Sequence, residues 1–232
     1  MNRLRAKFKA LPRERLMANQ SFAVRVHRAL SWMDQAVRQS DLETKFIFEW
    51  IAFNALYGQA REGLPTARRQ REQGGGDRDE YVLFLNRLAG LDGQPIMAAA
   101  TRIRPFVERL VGYKYLYFRY WRNMPDWPDS LKVDLQRLGR AMESRRVGHV
   151  LSLVFDRLYT LRLQLFHGGA TFGSQVNRES LKLAEMVLSQ LMPPILEVII
   201  DHGLDEPWGE VAYPPRDQPI RDLERKTSDG TQ

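Results

Sequence analysis

The residues with the clearest chemical potential are Arg162 and His167, which are followed at once by Gly168 and Gly169. An arginine is permanently charged and offers two parallel N–H donors to a phosphate group. A histidine titrates near neutral pH, so it can take up or release a proton during a reaction. Together the two side chains suit cleavage of a phosphodiester, in which the histidine moves the 2′-OH proton or protonates the leaving 5′-oxygen.

The position of this pair on its predicted helix also allows a structural interpretation. Five residues of α-helix rotate the chain by about 140°, so the two side chains point in different directions unless the backbone turns at His167. Gly168 and Gly169 are typical of a left-handed helix C-terminus and would supply that turn. In the alternative interpretation, His167 is a cation at the negative end of the helix dipole and Arg162 is an internal ion-pair partner.

Two segments of the chain have a distinctive pattern. Residues 46–58 carry Trp50, Asn54 and Tyr57 on one aromatic-rich helix, and residues 161–170 carry the Arg–His pair. These segments resemble the HEPN superfamily, and its prokaryotic Apea-like branches in particular. The resemblance covers roughly residues 20–200 and implies an all-α bundle that dimerises, so that two Arg–His pairs share one cleft.

The resemblance also implies a function. It implies metal-independent RNA cleavage that leaves a 2′,3′-cyclic phosphate, with Arg162 stabilising the phosphorane and His167 as acid and base. Such proteins commonly act in toxin–antitoxin or anti-phage systems, so an antitoxin or another regulatory protein is an expected partner. In many active members a polar residue follows the arginine, whereas this chain has Leu163. Other members are non-catalytic RNA- or protein-binding scaffolds, and this is the alternative function.

Further residues could contribute to RNA binding. Arg157 lies five residues before Arg162 and could enlarge a phosphate site, or it could lie on the surface. Asn54 could contact substrate, although an amide on the apolar face of a helix is more often hydrogen-bonded within the core. A segment of aromatic and basic residues could stack bases and hold phosphates, but a core helix whose basic side chains reach the solvent is the favoured interpretation. Its members are Tyr113, Lys114, Tyr115, Tyr117, Arg119, Tyr120, Trp121 and Arg122.

Helical periodicity runs through almost the whole chain and predicts an all-α fold. Asn19 or Ser21 is a suitable N-cap for the first periodic segment, and Asp41 is one for the second. The predicted helices are 19–37, 41–57, 80–88, 95–117 with a break near Pro105, 129–146, 147–166 and 177–201 with a kink at Pro193 and Pro194.

The chain is predicted to have three parts. These are a basic N-terminal segment at 1–18, a HEPN-like all-α domain at 19–202 and a Pro-rich acidic tail at 203–232 that is at best partly ordered. A long arginine-rich loop at 59–77, with consecutive glycines at 74–76, lies between two helices of the domain. This loop could clamp RNA or could be a solvated insert.

The net charge of +7 is concentrated at the N-terminus. Residues 1–40 hold nine basic and two acidic side chains, whereas 203–232 hold four basic and seven acidic ones. The basic stretch could attract RNA if it lies near Arg162 and His167. A solvated helix face that keeps the protein soluble is the equally weighted alternative.

Most other kinds of site lack the residues they require. The absence of cysteine excludes disulfides, a thiol nucleophile and thiolate-bound metals. His27, His149, His167 and His202 are not at metal-ligand spacing, and no P-loop, dinucleotide-binding or zinc-protease motif is present. We therefore expect no metal or other cofactor. The chain also shows neither a secretory signal nor an apolar run that predicts a membrane span, so a soluble cytoplasmic protein is expected.

Overall fold

The fold is a bundle of α-helices. The computed structural model describes residues 1–58 and 77–211, and within these ranges it contains eleven α-helices, a 3₁₀ turn at Lys114–Leu116 and no β-strand. This confirms the all-α prediction. The helices are α1 (Asn2–Lys9), α2 (Arg13–Ala18), α3 (Gln20–Ala36), α4 (Leu42–Tyr57), α5 (Asp77–Asp92), α6 (Gln94–Arg102), α7 (Arg104–Gly112), α8 (Phe118–Trp121), α9 (Trp127–Glu143), α10 (Val147–Phe166) and α11 (Arg178–His202).

Two side-chain caps determine where the long N-terminal helices begin. The Asn19 side chain accepts a hydrogen bond of 3.0 Å from the Phe22 N–H at the start of α3. Asp41 accepts one of 2.7 Å from the Thr44 N–H at the start of α4. Each cap satisfies a backbone donor that the first turn of a helix leaves unpaired. Both confirm the predicted helix starts.

The packing of α4 against α10 forms the centre of the core. Trp50 of α4 contacts Tyr159 of α10 at a ring-centroid distance of 6.2 Å, and Phe53 contacts Phe155 at 4.2 Å. Because the higher number on α4 faces the lower number on α10, the two helices run antiparallel. The C-terminus of α10, where Arg162 and His167 lie, is therefore near the N-terminus of α4.

Helix α11 is the most extensively buried element. Among the described residues it is the one helix long and apolar enough to cross a membrane, but 61% of its most apolar window is buried inside the bundle, as in the core helix of a soluble protein. The helix is continuous through Pro193 and Pro194, where the sequence predicts a kink. Its apolar length is therefore explained by the core that it fills.

The N-terminal helices α1 and α2 belong to the same core. Leu4, Phe8 and Leu16 are buried there, so the predicted basic segment at 1–18 does not stand apart from the bundle. Four of the basic side chains of this segment pair with carboxylates on α3, α11 and the turn after α11. These pairs are Arg3 with Glu197 (2.7 Å), Lys7 with Glu197 (3.1 Å) and Asp201, Arg5 with Asp34, and Arg15 with Asp205.

A buried arginine ties the residues after α4 and α11 to α3. The Arg25 guanidinium is 2% exposed and donates to the carbonyls of Leu56 (3.0 Å) and Gly58 (2.6 Å). It also donates to the three carbonyls of residues 208–210. The first part of the predicted tail is consequently held against the bundle, since Trp208 is 7% exposed. Residues 212–232 lie outside the described residues, and so do residues 59–76 of the loop predicted at 59–77.

The helix predicted to run through Tyr117 ends at Gly112 instead. In a continuing helix the Val111 carbonyl would accept from the N–H four residues later, but here it accepts a 3.0 Å hydrogen bond from Arg157 Nε. Tyr113 and Tyr117 have extended backbone on either side of the 3₁₀ turn. A contact with a distant helix thus overrides the local periodicity. The other helix ends differ from their predictions by a few residues, as is usual.

Glu49 is a carboxyl group in the core between α4 and α11. Its side chain is completely buried, and neither carboxyl oxygen has a hydrogen-bond partner in the described part of the chain. Burial, followed by the nearby Glu185 carboxylate, raises the pKa of Glu49 to about 8, while Lys45 acts in the opposite direction. Lys45 is itself ion-paired with Glu185. Glu49 therefore folds into the core with its proton at neutral pH.

We expect Glu49→Gln to remove part of the pH dependence of stability. The unfolded carboxyl ionises above about pH 4.5 while the folded one keeps its proton to about pH 8. The wild-type free energy of unfolding therefore falls as the pH rises through this window, by at most about 1.4 kcal/mol per pH unit. Because glutamine imitates the protonated carboxyl, the variant should match wild type near the lower limit and exceed it near the upper one in urea unfolding.

The exposed Glu14 provides a matched control for this experiment. Glu14→Gln changes the same chemical group on the surface, so its stability should follow the wild-type curve at every pH. A Glu49→Gln variant that also ran parallel to wild type would show that Glu49 is not the group that titrates.

Candidate functional site

His167 lies at the C-terminus of α10, held in a Schellman motif. The Gly169 N–H donates to the Gln164 carbonyl (2.7 Å) and the Gly168 N–H donates to the Leu165 carbonyl (3.3 Å). Gly168 has a φ of +69°, a left-handed conformation that favours glycine. This confirms the predicted left-handed end of the helix. His167 is the capping residue, and it is exposed to solvent.

Arg162 lies one and a half turns before His167 and is half-buried. Its guanidinium carbon is 5.0 Å from the ring centroid of Phe166 and 5.7 Å from that of Tyr159. Helical geometry up to the cap separates Arg162 from His167 by about 140° around the axis and roughly 7.5 Å along it. Within one chain the structure therefore places the two residues at the same helix end without directing them to a common point.

The loop after His167 is anchored to α4. Glu43, 4% exposed at the start of α4, accepts a 2.9 Å hydrogen bond from the Gly173 N–H and a longer contact of 3.3 Å from Arg178. Around this anchor the loop presents apolar side chains to solvent, with Phe172 74% and Val176 86% exposed. Large exposed apolar side chains next to one another commonly mark an interaction surface.

Arg157 does not line the site, which contradicts its predicted role in binding a phosphate. The side chain is completely buried. It donates to the Val111 carbonyl (3.0 Å), to Asp134 (2.8 Å) and to Asp156 (2.7 Å), and its guanidinium carbon lies 4.2 Å from the centroid of the Tyr117 ring. A substrate phosphate has no access to it. Arg157 is a structural cation.

Asn54 is also placed differently from its prediction. It is exposed rather than satisfied within the core, and it lies near the C-terminus of α4. Because Glu43 at the other end of α4 contacts the loop after His167, eleven helical residues separate Asn54 from that loop, or about 16 Å. The structure therefore does not bring Asn54 to Arg162 and His167.

The aromatic and basic segment at 113–122, which the sequence interpretation assigned to the core, lies beside the C-terminus of α10. Gln164, between the two candidate residues, donates a 2.9 Å hydrogen bond from Nε2 to the Tyr115 carbonyl. Tyr115 and Phe118 are each 39% exposed and Trp121 is 53% exposed. The favoured interpretation of a core helix is therefore wrong for residues 113–122. The sequence signal that could have indicated an exposed surface is the series of basic residues between 113 and 125 with no acidic residue among them.

A second basic cluster surrounds a shallow cleft of about 620 Å³ at the opposite end of α10. Arg145, Arg146 and His149 line this cleft. Because α10 has 20 residues, the cleft is about 30 Å from His167. The two consecutive arginines and the histidine were visible in the sequence, but nothing in their spacing singled them out.

The described residues offer no evident cation site. No three His, Cys, Asp or Glu side chains in 1–58 and 77–211 are grouped as metal ligands would be. One pair of such side chains is His202 and Asp92, in which His202 Nε2 lies 3.8 Å from a carboxylate oxygen of Asp92.

Comparisons of the chain with protein-family models, with curated proteins and with solved structures found no match. The assignment to the HEPN superfamily therefore stays a prediction that depends on residues 46–58 and 161–170.

We expect Gly168→Ala to destabilise the helix end that holds His167. A side chain other than glycine in the left-handed conformation costs roughly 1–2 kcal/mol, and open space around Gly168 leaves backbone strain as the cause. Gly139→Ala is the matched control, because Gly139 also has open space but lies inside α9, where alanine stabilises by roughly 0.5–1 kcal/mol. Urea unfolding should move in opposite directions for the two variants, and equal shifts would contradict the role assigned to Gly168.

Proposed function

We propose that the chain is a metal-independent endoribonuclease that uses Arg162 and His167. The observation that carries the proposal is the exposed His167 at a helix C-terminus closed by a Schellman motif, five residues after Arg162. The sequence has no acidic residue between Arg157 and Arg178. The resemblance of the same residues to the HEPN superfamily supports the assignment.

The proposed reaction is an internal transfer at phosphorus. His167 accepts the proton of the ribose 2′-OH as the 2′-oxygen attacks phosphorus, and the bond to the 5′-oxygen breaks. The leaving 5′-oxygen takes up a proton from an imidazolium, and a 2′,3′-cyclic phosphate remains on the other fragment. Arg162 stabilises the negative charge of the five-coordinate phosphorane through two parallel N–H donors.

The divergence of Arg162 and His167 on one helix supports a composite site in a homodimer. If two copies meet at this helix end, each Arg162 can approach the partner's His167 in a shared cleft. Phe166, Phe172 and Val176 provide exposed apolar surface for such a contact. In the cytoplasm of its host, a nuclease of this kind would fit a toxin–antitoxin or anti-phage role, with a protein partner that covers the same surface.

The alternative function is a non-catalytic scaffold of the same fold that binds RNA or protein. Two observations favour it. Leu163 occupies the position that is polar in many active members of the resembled family, and Arg162 packs over the rings of Tyr159 and Phe166 as a structural cation would. Turnover distinguishes the two functions.

We expect purified protein to cleave single-stranded RNA in the presence of EDTA. His167→Ala and Arg162→Ala should each lower the rate by at least about a hundredfold with unchanged melting temperature, because each removes one group acting on the phosphorane. His149→Ala and Arg145→Ala, at the opposite end of α10, are matched controls and should keep wild-type activity. Gel analysis of end-labelled RNA measures the rate and identifies the cyclic phosphate.

Absence of cleavage by wild type across structured and unstructured RNAs would favour the scaffold. Cleavage that persists in both Ala variants would show that the activity belongs to other residues or to a contaminant.

A mixing experiment tests whether the site is shared between chains. We expect an equal mixture of Arg162→Ala and His167→Ala proteins to recover about a quarter of wild-type activity after subunit exchange, because half of the dimers are mixed and each has one intact composite site. Sedimentation velocity establishes that a dimer is present. Two inactive variants that stay inactive when mixed, although dimeric, would place both catalytic groups within one chain.

A further inference from the structure

Residues 113–122 form an exposed aromatic surface beside the candidate site. We call Tyr115, Phe118, Tyr120 and Trp121 the aromatic platform. The rings of Tyr115, Tyr120 and Trp121 contact one another, edge to face for Tyr115 with Tyr120 and for Tyr120 with Trp121, each at a centroid distance of 5.5 Å. Three of its four members are at least 39% exposed. Aromatic rings of this size are normally buried, so their exposure as a group calls for a ligand.

The platform is fixed in place from beneath. Leu116 and Tyr117 are buried between its members, and the Arg157 guanidinium stacks on Tyr117. Trp121 Nε1 donates a 2.8 Å hydrogen bond to the Tyr115 carbonyl, which also accepts from Gln164. Because the indole N–H is already satisfied, what the platform offers to a ligand is the faces of its rings. Rings held in this way lose little conformational entropy on binding.

Cations accompany the rings. Lys114 Nζ lies 4.9 Å from the centroid of Tyr115 and 5.7 Å from that of Tyr120, and the Arg122 guanidinium carbon lies 4.8 Å from that of Phe118. Neither cation has a carboxylate partner within the described ranges, whereas Arg119 is paired with Asp126. No acidic residue occurs between Tyr113 and Pro125. The surface thus combines stacking faces with positive charge.

The platform is continuous with the end of α10. Gln164 joins it to the helix turn between Arg162 and His167, and Phe166 is 48% exposed on the same turn beneath the Arg162 guanidinium. A strand whose bases stack on the platform would therefore have its backbone within reach of that helix end.

We propose that the aromatic platform binds the unpaired bases of a single-stranded RNA, with Lys114 and Arg122 contacting the phosphates. Stacking of bases on aromatic side chains beside a positively charged surface is how proteins bind single strands without strong sequence preference. A duplex hides its base faces and fits this surface poorly. That the platform delivers the strand to Arg162 and His167 rests on the proposed function. Binding of RNA to the platform does not, and it can be measured without cleavage.

The test measures binding in a His167→Ala background with EDTA, by fluorescence anisotropy of labelled oligouridylate and oligoadenylate of about 12 nucleotides. Adding Trp121→Ala should weaken binding by about tenfold or more, whereas Trp121→Phe should retain most of the affinity. Removing both cations with Lys114→Gln and Arg122→Gln should lower the slope of log affinity against log salt by about 1.4. Arg145→Gln with Arg146→Gln is the matched control for charge and should have a smaller effect on affinity. A paired RNA duplex of equal length should bind more weakly than either strand.

Wild-type affinity in the Trp121→Ala protein, or equal affinity for duplex and single strand, would overturn the proposal. A Trp121→Ala protein that loses self-association in sedimentation velocity while still binding RNA would assign the platform to a second copy of the chain and would also overturn it. Failure of the proposed function is distinguishable, because a platform that binds RNA in a protein that never cleaves it identifies the scaffold alternative. If His167→Ala abolishes cleavage but Trp121→Ala changes neither RNA binding nor cleavage, the proposed nuclease function stands and the proposed role of the platform is rejected.

Discussion

The candidate site depends on one buried cation, Arg157. A guanidinium removed from water is tolerated only where its donors are satisfied, and here they join three helices, since Arg157 of α10 donates to Val111 at the end of α7 and to Asp134 of α9. By donating to the Val111 carbonyl, Arg157 occupies the acceptor that would otherwise bond the next turn of a longer α7. The stacking contact with Tyr117 then holds the following segment against α10. Residues 113–122 consequently leave the helical path and become the surface beside His167.

The distribution of ion pairs, rather than the net charge, determines where a polyanion can bind. Two cations of α1, Arg3 and Lys7, are paired with Glu197 and Asp201 near the C-terminus of α11, so the field of these two is largely cancelled within a Debye length. That end of α11 is about 30 Å from Arg178, which lies beside the loop after His167. The attraction of RNA by the N-terminal segment, one of two equally weighted interpretations, therefore loses part of its basis. The proposed RNA surface instead includes Lys114 and Arg122, which have no carboxylate partner among the described residues.

The sequence was sufficient for features whose physical cause is local. The N-caps Asn19 and Asp41, the extent of α10 and the left-handed end at Gly168 each depend on residues within one or two turns of one another. The end of α7 could not be predicted, because its cause lies 46 residues away at Arg157. Burial of Arg157 was unpredictable for the same reason, since a lone arginine on a helix gives no sign of the acceptors that other helices will supply.

A histidine at a helix C-terminus imposes a requirement on everything around it. The carbonyl end of α10 carries a partial negative charge, which disfavours an approaching phosphate. The helix dipole stabilises an anion bound at a helix N-terminus, whereas it would destabilise a phosphate bound at the proposed site at the C-terminus of α10. In the proposed nuclease, acid–base chemistry and phosphate binding would therefore be separate tasks, and the positive charge for phosphate binding would come from side chains. In the proposed function, Arg162, Lys114 and Arg122 are the side chains that supply it.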